Sequence, residues 1–193
     1  MTRTDVADRH RRYAGGFTDL VQGAGDWDAP APVSGWRARD VVDHLVTWLP
    51  GFLAGDGVVL APGPSAGDDP VAAWRHHADA VQAILDDPGT DGRTFANPHI
   101  GELPLADAID RFYTTDVFLH SWDLARATDQ PPALDEAECA ELLAGMEPFD
   151  ELLRSSGQYG PRVPVPDDAP AVDRLMGFIG RDPAWRPGDG GTS

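Results

Sequence analysis

Apolar residues recur along this chain at helical spacing, in stretches separated by segments rich in Gly, Pro and Asp. One stripe, Val41, Val42, Leu45, Trp48, Leu49 and Phe52, predicts a helix over about residues 36–53. Ser34 is its predicted N-cap, and Pro50-Gly51 should kink or fray its last turn. Val71, Trp74, Ala78, Val81, Ile84 and Leu85 predict a second helix over 70–86, with Pro70 suited to the first turn. The longest predicted helix covers about 104–128. Another, about 135–155, carries Leu142, Leu143, Met146, Phe149, Leu152 and Leu153, and a short one spans about 170–179. Near the start, Val6, Tyr13, Phe17, Leu20 and Val21 form a rougher stripe that Gly15-Gly16 interrupts. Residues 26–35, 55–69 and 87–103 read as loops, with a turn at Asn97-Pro98. The Pro- and Gly-rich stretch 157–169 contains one short extended segment at 162–165. Alternation with a period of two is almost absent, so the fold class is all-α, a helical bundle. A single domain over 1–185 and a disordered tail over 186–193 are expected.

Charge and composition narrow the function classes. Hydrophobic residues make up 41%, enough for a core. No apolar run approaches the roughly 18–20 residues of a membrane span. The opening Met-Thr-Arg-Thr-Asp has no apolar signal segment, and the lone Cys139 rules out an internal disulfide framework. A cytoplasmic location is expected. Acidic residues number 32 against 15 basic ones, a net charge of −17, and no cluster of arginines offsets it. Such a surface repels phosphate backbones, so neither nucleic acid nor an anionic membrane is an expected partner.

The chemistry concentrates on the longest helix. At 100° per residue, Ile109, Phe112, Asp116, His120 and Asp123 share a narrow sector. The apolar members mark this sector as facing the bundle, yet it also presents a carboxylate and an imidazole one turn apart. Buried polar groups need partners, and this spacing lets both touch one ion. His44 lies at the edge of the apolar stripe of the 36–53 helix, with Asp40 one turn before it to accept the proton of its other ring nitrogen. Two imidazoles and one carboxylate from facing helices make an open divalent-metal site. Blander readings stand beside this one. An acid and a histidine at i,i+4 pair by charge on many helices, and a lone histidine on a stripe edge serves packing.

Two segments favour the metal. Gly35-Trp36-Arg37-Ala38-Arg39-Asp40-Val41-Val42-Asp43-His44-Leu45-Val46 and Asp116-Val117-Phe118-Leu119-His120-Ser121-Trp122-Asp123-Leu124-Ala125 resemble the two metal blocks of the mycothiol-dependent maleylpyruvate isomerase metal-binding domain, in the DinB-like superfamily. The tail from Tyr159 to Pro166, followed by Ala171-Val172-Asp173-Arg174-Leu175, is similar as well. The resemblance covers about residues 34–185 and implies a DinB-like four-helix bundle with additional short helices and a loop-rich C-terminal segment. It also implies metal ligands His44, Asp116 and His120. Two departures accompany it. The isomerase has Glu where this chain has Asp116, and no counterpart of its separate C-terminal domain is expected in this chain.

Around these ligands, Asp40 is expected to orient His44, and Asp123 either to hydrogen-bond a ligand histidine or to pair with Arg126 or Arg39. Arg37, Arg39, Tyr113 and His99 are candidates to line a substrate or thiol pocket, with Arg111 and Arg126 as further cations. His76 and His77 are expected on the solvent side, Trp36 and Trp122 in packing roles, and Cys139 as a small buried hydrophobe. Two functional classes follow. In one, the metal, with Zn first and Ni, Fe, Mn or Co as alternatives, activates a low-molecular-weight thiol such as mycothiol against an electrophile, giving S-transfer or isomerisation. In the other, a non-catalytic stress or regulatory module uses the metal for stability. A metal-free bundle with hydrogen-bonded Asp and His is a weaker third reading. A homodimer through an exposed bundle face is also expected.

Overall fold

The computed structural model describes residues 2–98, 100–155, 157 and 159–188. Its long helices are α1 (Arg3–Gly23), α2 (Ala38–Ala54), α3 (Pro70–Asp86) and a run made of α4 (Leu105–Ala108), a π-helical segment (Ile109–Thr114) and α5 (Thr115–Ala127). In this bundle α1 packs on α3 and α5, and α2 packs on the same two helices. The all-α class expected from the periodicity is the class observed, and among the described residues no helix is long and apolar enough to cross a membrane.

Each long helix forms where its apolar positions fall on one face. In α1, Val6, Ala7, His10, Tyr13, Ala14, Phe17 and Val21 are buried at i, i+3, i+4 spacing. The Gly15-Gly16 pair does not interrupt this helix, because both glycines lie on the exposed face and nothing packs against them. A capping box opens α1, with Thr2 Oγ1 accepting from the Asp5 N–H and Asp5 accepting from the Thr2 N–H. Ser34 does not cap α2. The helix starts at Ala38, and the Asp40 carboxylate accepts from the Arg37 N–H at 2.7 Å. Pro50 neither ends nor frays α2, which continues to Ala54 with Leu49 and Leu53 fully buried.

Two expected elements are corrected. Residues 87–103 contain a β-hairpin as well as loop, with β1 (Thr94–Asn97) antiparallel to β2 (Gly101–Pro104) and Phe95 buried against Phe52. Its strands are only four residues each, too short for a periodicity signal. The expected helix over 135–155 divides into α6 (Glu136–Met146), a 3₁₀ turn (Glu147–Phe149) and α7 (Asp150–Ser155). Pro148 accounts for the break, since its ring and missing N–H disfavour a helix interior. The extended segment at 162–165 joins no strand among the described residues, although Val163 N–H donates to Gly177 O.

The main core fills the bundle, with Trp74, Phe17, Leu45, Leu49 and Ile109 among its fully buried side chains. A second core lies on the outer face of α5, where Phe118, Leu119 and Trp122 meet Cys139 and Leu143 of α6 and Leu175, Met176 and Phe178 of α8 (Ala171–Phe178). Cys139 is fully buried there, and burial pushes its thiol up to about 12, consistent with a packing role.

Candidate metal centre

α2 and α5 bring together the three residues singled out by their place on apolar stripes. His44 Nε2 lies 3.0 Å from Asp116 Oδ2, and His120 Nε2 lies 3.5 Å from Asp116 Oδ1. One ligand atom from each residue falls within 4.8 Å of the others. A zinc ion bound tetrahedrally at about 2.0–2.1 Å from its nitrogen and oxygen donors separates those donors by about 3.3 Å. The two contacts to Asp116 lie close to that spacing, each to a different carboxylate oxygen, while the 4.8 Å bound on the set is wider than it. His120 is nearly buried, whereas the His44 and Asp116 side chains are 32% and 24% exposed, so one side of the triad faces outward.

The surroundings of each ligand fix its chemistry. His120 Nδ1 lies 2.8 Å from Asp123 Oδ2, which engages that nitrogen and leaves Nε2 facing the triad. Asp123 is fully buried and accepts from the Arg181 guanidinium at 3.0 and 3.2 Å. Asp116 Oδ2 also accepts from Trp48 Nε1 at 3.0 Å, leaving Oδ1 turned toward His120. Trp36 covers both imidazoles, with ring centroids 5.1 Å from His44 and 5.7 Å from His120.

The charges reinforce one another. Burial by itself raises the carboxyls, but His120, His44 and Trp48 more than reverse this for Asp116, as Arg181 and His120 do for Asp123, and both are held below the usual carboxylate value. Burial opposes a charge on His120, yet Asp116 and Asp123 outweigh it and the net shift is upward. Metal and proton thus compete for the same nitrogen, so metal affinity at this site falls with acidity.

This chain aligns with two mycobacterial proteins at 31% identity over 176 residues, covering 89% of this chain and 95% of each relative. They are the uncharacterized protein Rv0738 of Mycobacterium tuberculosis strain ATCC 25618 / H37Rv and the uncharacterized protein MT0763 of strain CDC 1551 / Oshkosh. The chain belongs to their family. No family model matches it, and no solved structure does.

Several predicted neighbours of the triad are used differently. Asp40 caps α2 and forms no hydrogen bond with His44 among the described residues, whereas Asp123 does orient His120. Arg37 and Arg39 both pair with Asp28, at 3.0 and 3.1 Å, and Arg39 also donates to Gly67 O. Arg126 lies over the Trp122 ring and Arg111 over Phe112. Trp122 packs in the second core, as expected, but Trp36 stacks on His120 and tilts against His44. Tyr113 is fully buried in the bundle, while His99 lies outside the described residues. His76 reaches Ala61 O from a partly exposed position, but His77 is buried against Tyr113, contrary to the solvent-side expectation.

Sequence reasoning missed Arg181 and the polar role of Trp48. Arg181 lies 58 positions from Asp123, and nothing local couples them. Trp48 reads as one more apolar member of a stripe, because indole carries a single polar atom on a large apolar body.

Proposed function

We propose that this protein binds one divalent metal ion, Zn first among the candidates, through His44, Asp116 and His120, and that the centre activates a low-molecular-weight thiol toward an electrophile. The observation that carries this reading is the donor spacing, 3.0 and 3.5 Å around one carboxylate, with one side open. An ion there supplies Lewis acidity, which lowers the pKa of a thiol or water brought to it. The protein's own part is to orient. Asp123 and Arg181 hold the His120 ring, Trp48 holds Asp116, and Trp36 shields both imidazoles. The resemblance of the 35–46 and 116–125 segments to the mycothiol-dependent maleylpyruvate isomerase metal-binding domain supports mycothiol as that thiol, and a cytoplasmic setting would keep it reduced. Because Arg37 and Arg39 are already paired with Asp28, the reading does not call on them to bind a carboxylated electrophile.

A second reading, a non-catalytic stress or regulatory module, draws on a specific feature of the same centre. The ligands come from two helices, α2 and α5, so an ion would clamp the bundle and stabilise it without turnover. Metal analysis followed by thiol titration of the cobalt-substituted protein separates the two. A spectral change on adding thiol supports activation; bound metal that does not respond to thiol favours the module. Absence of metal after reconstitution removes both.

A further inference from the structure

Three polar atoms inside the bundle lack a protein hydrogen-bond partner among the described residues: His10 Nε2, His77 Nε2 and the Tyr113 hydroxyl. They come from three different elements, α1, α3 and the π-helical segment before α5. His10 and Tyr113 are fully buried and His77 is 6% exposed. Both imidazoles pack around the same phenol, with ring centroids 5.8 Å (His10) and 5.4 Å (His77) from that of Tyr113.

The neighbours leave each atom with an unmet requirement. His10 Nδ1 lies 2.9 Å from Thr114 Oγ1. If Nδ1 donates there, Nε2 needs a donor; if Nδ1 accepts, Nε2 carries a proton that needs an acceptor. A buried polar group left bare costs about 1–3 kcal/mol, and three in one bundle would be a heavy burden on a small domain. The chain also departs from regular helix here. The Ile109–Thr114 stretch is wound as a π-helix, a form that occurs mostly as short bulges and often at functional positions. Both Tyr113 and Thr114, the residues that meet His10, belong to that segment.

We propose that His10, His77 and Tyr113 form a second site, separate from the metal triad, which binds water inside the bundle. The ligand is neutral and small, because none of the three groups carries a charge at neutral pH. It must both donate and accept, because a phenol and two imidazoles present both roles. Water meets these requirements, and buried waters typically make about three hydrogen bonds to otherwise unsatisfied groups. The site lies one aromatic layer behind the metal centre, since the Tyr113 ring is 5.8 Å from that of Trp48, whose Nε1 holds Asp116. The water would fix the wide turn from which α5 sets out toward Asp116 and His120.

A high-resolution crystal structure of the full chain tests this directly. Ordered density for water within hydrogen-bond distance of at least two of the three atoms is the expected result. Empty density there, or an anomalous signal from a metal ion on His10 and His77, overturns the proposal. Urea unfolding of Tyr113→Phe, which removes one oxygen and keeps the ring, gives a reading that needs no crystal. The unfolding midpoint falls if the hydroxyl belongs to a satisfied water network. An unchanged or raised midpoint shows a hydroxyl that was bare and overturns the proposal.

Discussion

Two groups of imidazoles sit one aromatic layer apart in this bundle and behave in opposite ways. At the triad, His44 and His120 meet the Asp116 carboxylate, and a second carboxylate, Asp123, stands behind His120. Around Tyr113, His10 and His77 each meet the same phenol, and His10 also meets the Thr114 hydroxyl, with no carboxylate in hydrogen-bonding contact among the described residues. The consequence is electrostatic. His120 is shifted upward because its two carboxylates outweigh burial, whereas His10 and His77 are both pushed down to about 4, chiefly by burial. The same side chain is thus a candidate metal ligand in one place and an imidazole held neutral at ordinary pH in the other. Burial alone does not distinguish them; the neighbouring carboxylates do.

Acid should break the comparison most strongly. The folded-state values of His10 and His77 lie below the ordinary 6.5, so their contribution to stability is complete above that pH. It is lost as pH falls from 6.5 toward about 4, by about 1.4 kcal/mol per pH unit for each group. The charged neighbours of His10, Arg11 and Asp86, pull in opposite directions, and His76 adds to the lowering at His77, so no partner rescues either imidazolium. His120 has the opposite sign. Its raised value stabilises the metal-free fold below 6.5, and that contribution is lost as pH rises through the folded value. Urea titrations of metal-free protein across pH 4–8 should therefore show a stability maximum near 6.5, with the steeper fall on the acid side.

The next largest effect is expected from Asp123→Asn. It leaves the mostly buried Arg181 guanidinium without its counter-charge, and breaking such a pair costs about 3–5 kcal/mol. Loss of this support behind a ligand histidine should also weaken metal binding about 10–100-fold. Both are measurable on one preparation, by denaturant unfolding and by competition with a metal indicator. Removing the metal from the native protein should lower stability by about 2.7 kcal/mol when free metal had been held at 100 times its dissociation constant. No such loss should be seen in His120→Ala. The smallest effect is expected at Leu152, which is 66% exposed on α7. Leu152→Ser should change stability by no more than about 0.5 kcal/mol, and a larger loss would indicate that this face is covered in solution, as a homodimer would require.

How much of this was legible in the sequence follows from the range of each interaction. His44, Asp116 and His120 stand out because a polar residue on an apolar stripe demands a partner, and stripe position is a local property. The helices themselves are legible for the same reason, down to the bounds of α3. Asp40 sits equally well placed one turn before His44, but a carboxylate at the third position of a helix also suits the free N–H groups of the first turn, and the cap won. The π-helical turn is invisible to a fixed 100° period. It brings Tyr113 into the core at 0% exposure and leaves Phe112 part-exposed beside Phe52, where a regular helix would have favoured Phe112. His77 was misplaced because its ring partner, Tyr113, lies on another helical segment. Arg181 was missed for the same reason. Tertiary partners distant in sequence leave no mark on the local pattern.

Metal binding by the native protein beside His44→Ala and His120→Ala tests the central claim most directly. The account predicts one divalent ion per chain in the native protein and at least a hundredfold weaker binding in each variant, with the helical signal retained. A native protein that takes up no metal on reconstitution, or variants that bind it as tightly as the native chain, would contradict the assignment of His44, Asp116 and His120 as a metal centre.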